Sequence, residues 1–374
     1  MKLKDIIQPA GVVESGGDLD IEITSVTCDS REVTPGALFI AVRGFASDGH
    51  RYIASAIGKG AAAVLYEDPD AALPDAGIAW VRVANSRHAV AMAADAFYGH
   101  PSGKLSLVGI TGTNGKTTTV TLLYRLFKAL GHPCGLLSTI ANYVDDEPLE
   151  TANTTADPIT INRLLAEMVE KGCSYCFMEV SSIGVEQERT AGLQFAAGIF
   201  SNLTHDHLDY HKTFAEYLRC KKRFFDNLPK EAFAIINIDD KNGPVMVQNT
   251  AAKVVTYACC RPADHTARIL EQSFEGMLLR IDGKEAWSRL IGGHNAYNLL
   301  AIYTTAVCLG ADTDEVLVAL SDLAPAPGRL ENMRGPRDLA VVIDYAFISI
   351  IHCIFIFLLL NYSKSYLNYC LFHN

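Results

Sequence analysis

The run Gly112-Thr113-Asn114-Gly115-Lys116-Thr117-Thr118 concentrates more chemistry than any other part of this chain. A short glycine-containing loop bares backbone N–H groups, and a helix that starts at its end aims more of them at the same point. Together they can surround phosphate oxygens. Lys116 is placed to reach the β- and γ-phosphates of a nucleotide, and the Thr117 hydroxyl to ligate Mg²⁺. The usual spacing would put the first glycine at position 110, which is Ile, with Gly109 and Gly112 on either side, so the loop is a variant. An unliganded Gly-rich turn gives no reason for Lys-Thr-Thr at a helix start.

Two apolar runs further on also end in reactive groups. SYCFMEVSS places Glu179 just past a buried-type segment, and FAAGIFSNLTHDHLDYH ends in an Asp/His cluster containing His207. In an open parallel sheet, ligands gather beyond the carboxyl ends of the strands. Alone, each residue reads first as a structural group, a capping carboxylate or a satisfied core histidine. Following a phosphate loop along the chain, they read as ligands for ions that bridge phosphates. In FAEYLRCKKRFFDNL, Lys221 falls on the apolar stripe of Phe214, Tyr217, Leu218 and Phe225. An inward lysine is costly unless it is paired or neutral. It is either a snorkelling side chain or a neutral amine able to take up CO₂ as a carbamate, a carboxylate-like metal ligand.

These groups need a scaffold, and the pattern supplies an α/β one. Residues 1–102 mix short strands (IEITSVTCDS, ALFIAV) with Ala-rich helical patterns (YIASAIGKGAAAVL, ADAFYG), and His100-Pro101-Ser102-Gly103 reads as a linker. Over 103–332, strands (LSLVGIT, SYCFMEV, FAAGIFSNL, FAIINID, KVVTYA) alternate with helices, predicting a mostly parallel sheet covered on both faces. In the helix after the phosphate loop, Leu123, Leu126, Phe127 and Leu130 share one face. APAPGR marks a second linker, and the strand DLAVVIDYA should open a third domain within 333–374.

The chain has 374 residues, 49% of them hydrophobic and 20% charged, which excludes a disordered or collagen-like polymer. A formal charge of −10 argues against a broad nucleic-acid surface, so any anionic ligand must meet local positive groups. Ten cysteines over this length read as reduced core residues, the lone pair Cys173/Cys176 included. The N-terminus lacks the apolar core of a signal peptide. From Phe347 to Leu360 the chain is almost wholly apolar, but these 14 residues fall short of the roughly 20 that a membrane helix needs. The segment 347–374 also contains no Gly, Ala, Val, Arg, Pro, Asp or Glu. It reads as a break in the chain, by frameshift or joining to foreign sequence, rather than as a membrane tail.

The ordered motifs CDSREVTPGALFIAVRG, GTNGKTT, NTT, MEVSS, DHLDYH, YLRCK, GGHNAYN, PGRLE and DYA resemble those of the Mur ligases. MEVSS with DHLDYH favours the branch that adds the third amino acid to UDP-N-acetylmuramoyl-L-alanyl-D-glutamate in peptidoglycan synthesis. The resemblance implies an N-terminal UDP-sugar domain, a central ATP domain and a Rossmann-like third domain. It implies ATP and Mg²⁺ as cofactors, with Gly112, Thr113, Asn114, Gly115, Lys116, Thr117 and Thr118 on the phosphates and Asn295 and Asn298 near the adenine. Thr117, Glu179, His207 and a carbamylated Lys221 would serve the metal, and Lys116, Glu179, His207 and Lys221 the catalysis. Cys28, Ser30, Asn153, Thr154, Thr155, Ser181, Gln187 and Arg189 would hold the UDP-muramyl dipeptide. Partners would be that dipeptide and an amino acid, diaminopimelate or lysine, bound by a cytoplasmic monomer with no nucleic acid or membrane.

The sequence departs from the family at Ala156, Ile183 and His205, where Pro, His and Arg are usual, and wholly from Phe347, where the family continues DYAHTPDA. Lacking the third domain, the chain is expected to bind UDP-sugar and nucleotide but to ligate poorly. A non-catalytic binding fragment, a membrane-tethered protein and a folylpolyglutamate synthase-like ligase are the rival readings; the DSREVTPGALF segment speaks against the last.

Overall fold

Short runs of β-branched and aromatic residues form the strands here, and capped amphipathic runs the helices, in a computed structural model. It describes residues 1–44, 47–71, 73, 77–151, 153–204, 208–334, 340–348 and 351–359. Two units are distinguished. The first comprises residues 1–105, 155–172 and 183–194, the second residues 106–154, 173–182 and 195–374.

In chain order the first unit begins with α1 (Leu3–Ile7), β1 (Val12–Gly16), β2 (Ser25–Thr27), β3 (Ala37–Ile40), α2 (Ile53–Gly58), β4 (Ala63–Tyr66), β5 (Ala79–Val83) and α3 (Ser86–Phe97). The sheet order is β1-β5-β4-β3-β2, parallel except for β1. Alternate side chains of β3 feed separate cores: Leu38 and Ile40 join Leu3, Ile6 and Leu65, while Phe39 packs with Ile53, Val64 and Tyr66. The Ala-rich run YIASAIGKGAAAVL, expected to be helical, is split. Its helix stops at Gly58, Gly60 adopts φ +95°, and Ala63–Tyr66 is a fully buried strand. A parallel partner on each side outweighs the helical propensity of alanine.

The next elements are β6 (Ser106–Thr111), α4 (Lys116–Ala129), β7 (Cys134–Leu137), β8 (Asn142–Val144), β9 (Glu147–Leu149), α5 (Pro158–Glu170), β10 (Tyr175–Glu179), α6 (Ser182–Glu186) and β11 (Phe195–Phe200). They continue as α7 (Leu208–His211), α8 (Phe214–Asp226), β12 (Phe233–Asn237), α9 (Gly243–Met246), β13 (Lys253–Ala258), β14 (His265–Ser273), β15 (Gly276–Ile281), β16 (Lys284–Ser288), α10 (Gly293–Cys308) and α11 (Thr313–Asp322). Of these, α5 and all of α6 but Ser182 lie in the first unit. The large sheet has the order β16-β15-β14-β13-β12-β11-β6-β10-β7-β8-β9. Its centre, β14 to β7, is parallel as the alternation predicts. The two ends are antiparallel meanders that the βα alternation did not announce. Leu122, Leu123, Leu126 and Phe127 of α4 are buried in the core beside this sheet.

The chain then forms β17 (Glu331–Arg334), β18 (Ala340–Ile348) and β19 (Ile351–Leu359), a separate antiparallel sheet in that order. The strand foreseen at DLAVVIDYA is present as β18, but not in the parallel setting of a Rossmann-like domain. Only two residues separate it from β19, and parallel pairing needs a crossover of a dozen or more. Among the described residues, no helix is long and apolar enough to cross a membrane.

Candidate active site

Strand β6 lies in the middle of the large sheet, with β10 and β11 as parallel neighbours, and its carboxyl end feeds the loop 112–115. Gly115 caps α4 at φ +85°, and a Cβ there would stand 2.5 Å from Asn298 Oδ1. At Gly112 an added Cβ would overlap the Ser201 hydroxyl. Both glycines are therefore required by space, and Gly115 by its backbone angle too.

The loop is tied down from β11. Thr113 N donates to Asn202 O at 2.9 Å, Asn114 N to Asn202 Oδ1 at 3.0 Å, and Ser201 Oγ to Asn114 O at 2.7 Å. Thr113 Oγ1 accepts from Thr204 N (2.9 Å) and shares a hydrogen bond with the Tyr217 hydroxyl (3.1 Å). Lys116 Nζ folds back over the loop, donating to Gly112 O (3.0 Å) and Thr113 O (2.9 Å), while Thr117 and Thr118 are buried in the first turn of α4. Such anchoring holds the N–H cradle in shape before a ligand arrives.

Glu179, at the end of β10 and 1% exposed, stands in register with Ile110. Its Oε1 accepts from Thr139 N (2.8 Å) and Thr139 Oγ1 (3.0 Å). Lys221 faces inward from α8, as its stripe predicts, and is also 1% exposed. Its Nζ donates to Gly112 O (2.9 Å) and Thr111 Oγ1 (3.3 Å) and lies 4.8 Å from the Tyr217 ring centre. It does not snorkel. Thr117 and Glu179 offer hard oxygens and no soft atom, which fits a divalent cation that keeps water and phosphate oxygens as its other ligands. Among the described residues no cluster of three or more His, Cys, Asp or Glu forms a ready-made metal cage. His207 lies outside the described residues. In α10, Asn298 Nδ2 donates to Asn295 Oδ1 (2.8 Å) and Asn295 Nδ2 to Ile291 O (2.7 Å), so the pair is buried and oriented.

The first unit has its own cleft, of about 560 Å³, beyond the carboxyl ends of β2 and β3 and at the start of α5. Cys28, Gln187 and Arg189 line it together with Arg43, Arg87 and Asp157. Arg189 donates to Thr155 O (2.6 Å) and, through Nε and Nη2, to Gln187 Oε1 (3.2 and 2.7 Å). The Asp157 side chain caps α5 by accepting from Ile159 N and Thr160 N. The Arg31 guanidinium, hydrogen-bonded to Asp29 at the cleft wall, holds that carboxyl down to about 2. Ser30 is not part of the lining, and its carbonyl accepts from Lys59 Nζ at 2.9 Å. Asn153, Thr154 and Ser181 belong to the second unit, where Thr154 Oγ1 accepts from Thr139 Oγ1 at 3.2 Å.

Sequence reasoning missed Thr139, Ser201 and Asn202 as partners of the site, and Arg43, Arg87 and Asp157 as cleft walls. For Ser201 and Asn202 the available signal was their place directly after an apolar strand; Thr139 carried none.

Residues 110–306 match the family model of the Mur ligase middle domain, and residues 22–98 match that of the Mur ligase family, catalytic domain. The chain belongs to the Mur ligase family. Relatives of this Mur ligase include the UDP-N-acetylmuramoyl-L-alanyl-D-glutamate--2,6-diaminopimelate ligases of Cytophaga hutchinsonii, 51% identical over 346 residues, and Bacteroides fragilis, 52% identical over 346 residues. Each match covers 92% of this chain and 71% of the relative. A solved structure of a ligase with that name is 25% identical, with a TM-score of 0.79, covering 92% of this chain and 71% of that one.

Proposed function

We propose that this Mur ligase is an ATP-dependent carboxylate–amine ligase that acts on UDP-N-acetylmuramoyl-L-alanyl-D-glutamate, with meso-diaminopimelate as the incoming amine. One observation carries the reading: a lysine-bearing phosphate loop, a buried carboxylate and a buried lysine meet at one sheet edge, on β6, β10 and α8. The names of relatives half identical to the chain support the substrate pair. In the reaction, a carboxylate oxygen of the D-glutamyl residue attacks the γ-phosphorus of ATP, and ADP leaves. The amine nitrogen then attacks the acyl carbon; inorganic phosphate departs, and the nitrogen gives up its proton.

The chain's own groups serve the first step. The N–H groups of 112–118 and the Lys116 ammonium orient the triphosphate and offset charge on it, each charge-assisted bond contributing about 1.5–3 kcal/mol. Thr117 and Glu179 would hold Mg²⁺, joined by His207 and a carbamylated Lys221. When bound, the ion neutralises charge on the phosphate oxygens. Asn295 and Asn298 would face the adenine. In the first unit, Cys28, Ser30, Thr155, Gln187 and Arg189 would contact the UDP-muramyl dipeptide; Asn153, Thr154 and Ser181, of the second unit, are assigned to the same substrate by the family resemblance. The proposed domains are 1–102 for the UDP-sugar, 103–332 for ATP and 333–374 for the start of a third domain followed by an apolar tail from 347; residues 155–172 and 183–194, inside the second range, fold with the first unit. We read the chain as a cytoplasmic monomer.

Hydroxylamine trapping tests the first step without relying on the amino-acid subsite. The full chain, given ATP, Mg²⁺ and UDP-muramyl dipeptide, should yield an acyl hydroxamate, and Lys116→Ala should yield none. Phosphate release that does not depend on the dipeptide, with no hydroxamate formed, would count against a ligase.

A further inference from the structure

The carboxyl edge of the large sheet carries a second organised cluster, centred on Asp239 just beyond β12. Its side chain is 9% exposed and receives four donors. Cys259 N (2.7 Å), Cys260 N (2.8 Å) and the Tyr297 hydroxyl (3.0 Å) donate to Oδ2, and Arg261 Nε (3.1 Å) donates to Oδ1. Burial pushes the carboxyl up, but the Cys260 and Cys259 N–H groups, with Tyr297 and Arg261, outweigh it and hold it below the usual carboxylate range. One carboxylate thus ties the turn after β13 to the first turns of α10, the helix whose Asn298 abuts Gly115 of the phosphate loop.

The cluster is also wired to that loop from below. Asp239 N donates to Asn237 Oδ1 (3.0 Å), Asn237 Nδ2 to Ser201 O (2.7 Å), and Ser201 Oγ to Asn114 O (2.7 Å). Distance says what it could serve. β12 lies two strands from β6, about 10 Å at the ordinary strand spacing, which is the reach from the inner phosphates of a nucleoside triphosphate to its sugar and base.

We propose that Asp239 is a positioning residue for the nucleoside end of the triphosphate: it fixes the 259–261 turn and Tyr297 as one wall, so that the site prefers a nucleotide over a bare phosphate chain. This rests on the proposed seating of ATP in the 112–118 loop. Neither the wall nor the preference needs the carboxylate to touch the ligand. Asp239→Asn puts an amide N–H₂ where a donor already points, so part of the network must open.

The test titrates the full chain by calorimetry with Mg²⁺–ATP and, separately, with inorganic tripolyphosphate. Asp239→Asn should weaken ATP about tenfold and leave tripolyphosphate within about twofold of the unaltered protein. Tyr297→Phe, which deletes a single hydroxyl, should give a smaller loss of the same selectivity and guards against a folding defect. Lys116→Ala should weaken both ligands together, marking failure of the loop apart from failure of the wall. Equal ATP affinity in Asp239→Asn and the unaltered chain would overturn the proposal. So would a parallel loss of ATP and tripolyphosphate in that variant, which is the signature of a merely structural residue.

Discussion

The phosphate loop of the second unit and the cleft of the first are built on opposite plans. Seven consecutive residues, 112–118, make the loop, and the groups proposed to face its ligand are chiefly backbone N–H. The cleft is assembled from side chains as distant along the chain as Cys28, Arg87 and Arg189, on segments that converge only through folding. A backbone cradle depends on two glycines and a lysine; a side-chain cleft depends on each wall residue being held by a neighbour. Variants should therefore fail in different ways in the two places.

Lys116→Ala should give the largest effect. Losing one ammonium from a triphosphate site at roughly 1.5–3 kcal/mol per charge-assisted bond predicts a fall in ATP affinity of about 100-fold, with UDP binding unchanged. Calorimetry with both ligands reads it, and a matching fall for UDP would erase the contrast between the two regions. Arg189→Ala should do the converse, lowering affinity for UDP-muramyl dipeptide about 10-fold and sparing ATP. Arg189→Lys should not restore it, because a single ammonium cannot span Gln187 Oε1 and Thr155 O as the guanidinium does.

Smaller effects sharpen the comparison. Gly115→Ala should cost about 1–2 kcal/mol in urea unfolding, through its positive φ and the approach of Asn298. An alanine at the exposed, unhindered Gly58 should cost nothing comparable. The smallest concerns Asp29, whose carboxyl sits at about 2 against an ordinary 3.8 because Arg31 is bonded to it. Its contribution to stability is present above pH 3.8 and lost as pH falls through about 2. The pair is solvent-exposed, so the gain is slight. Arg31→Ala should move the carboxyl titration seen by NMR back towards 3.8; an unmoved titration would refute the pairing.

What was legible follows the same division. Glu179 could be placed at a strand end from the apolar run before it, and Lys221 on the apolar stripe of α8, because both depend on local periodicity. The stripe alone did not decide between a snorkelling and a buried lysine, which the bonds to Gly112 O and Thr111 Oγ1 did. The split of YIASAIGKGAAAVL into α2 and β4 could not be read, since alanine favours helix until parallel partners are supplied on both sides. The antiparallel ends of the large sheet were likewise invisible, because strand direction is a property of pairing rather than of a strand's own residues.

By itself, then, the sequence determined the phosphate loop, its strand–loop–helix setting, the family and the α/β character of both units, all written in contiguous residues. Tertiary structure alone decided that Ser201 and Asn202 brace the loop, that Thr139 holds Glu179, and that Arg43, Arg87 and Asp157 wall the cleft. Those partners lie tens of residues apart, and only chain closure and burial bring their hydrogen-bonding groups within reach of one another.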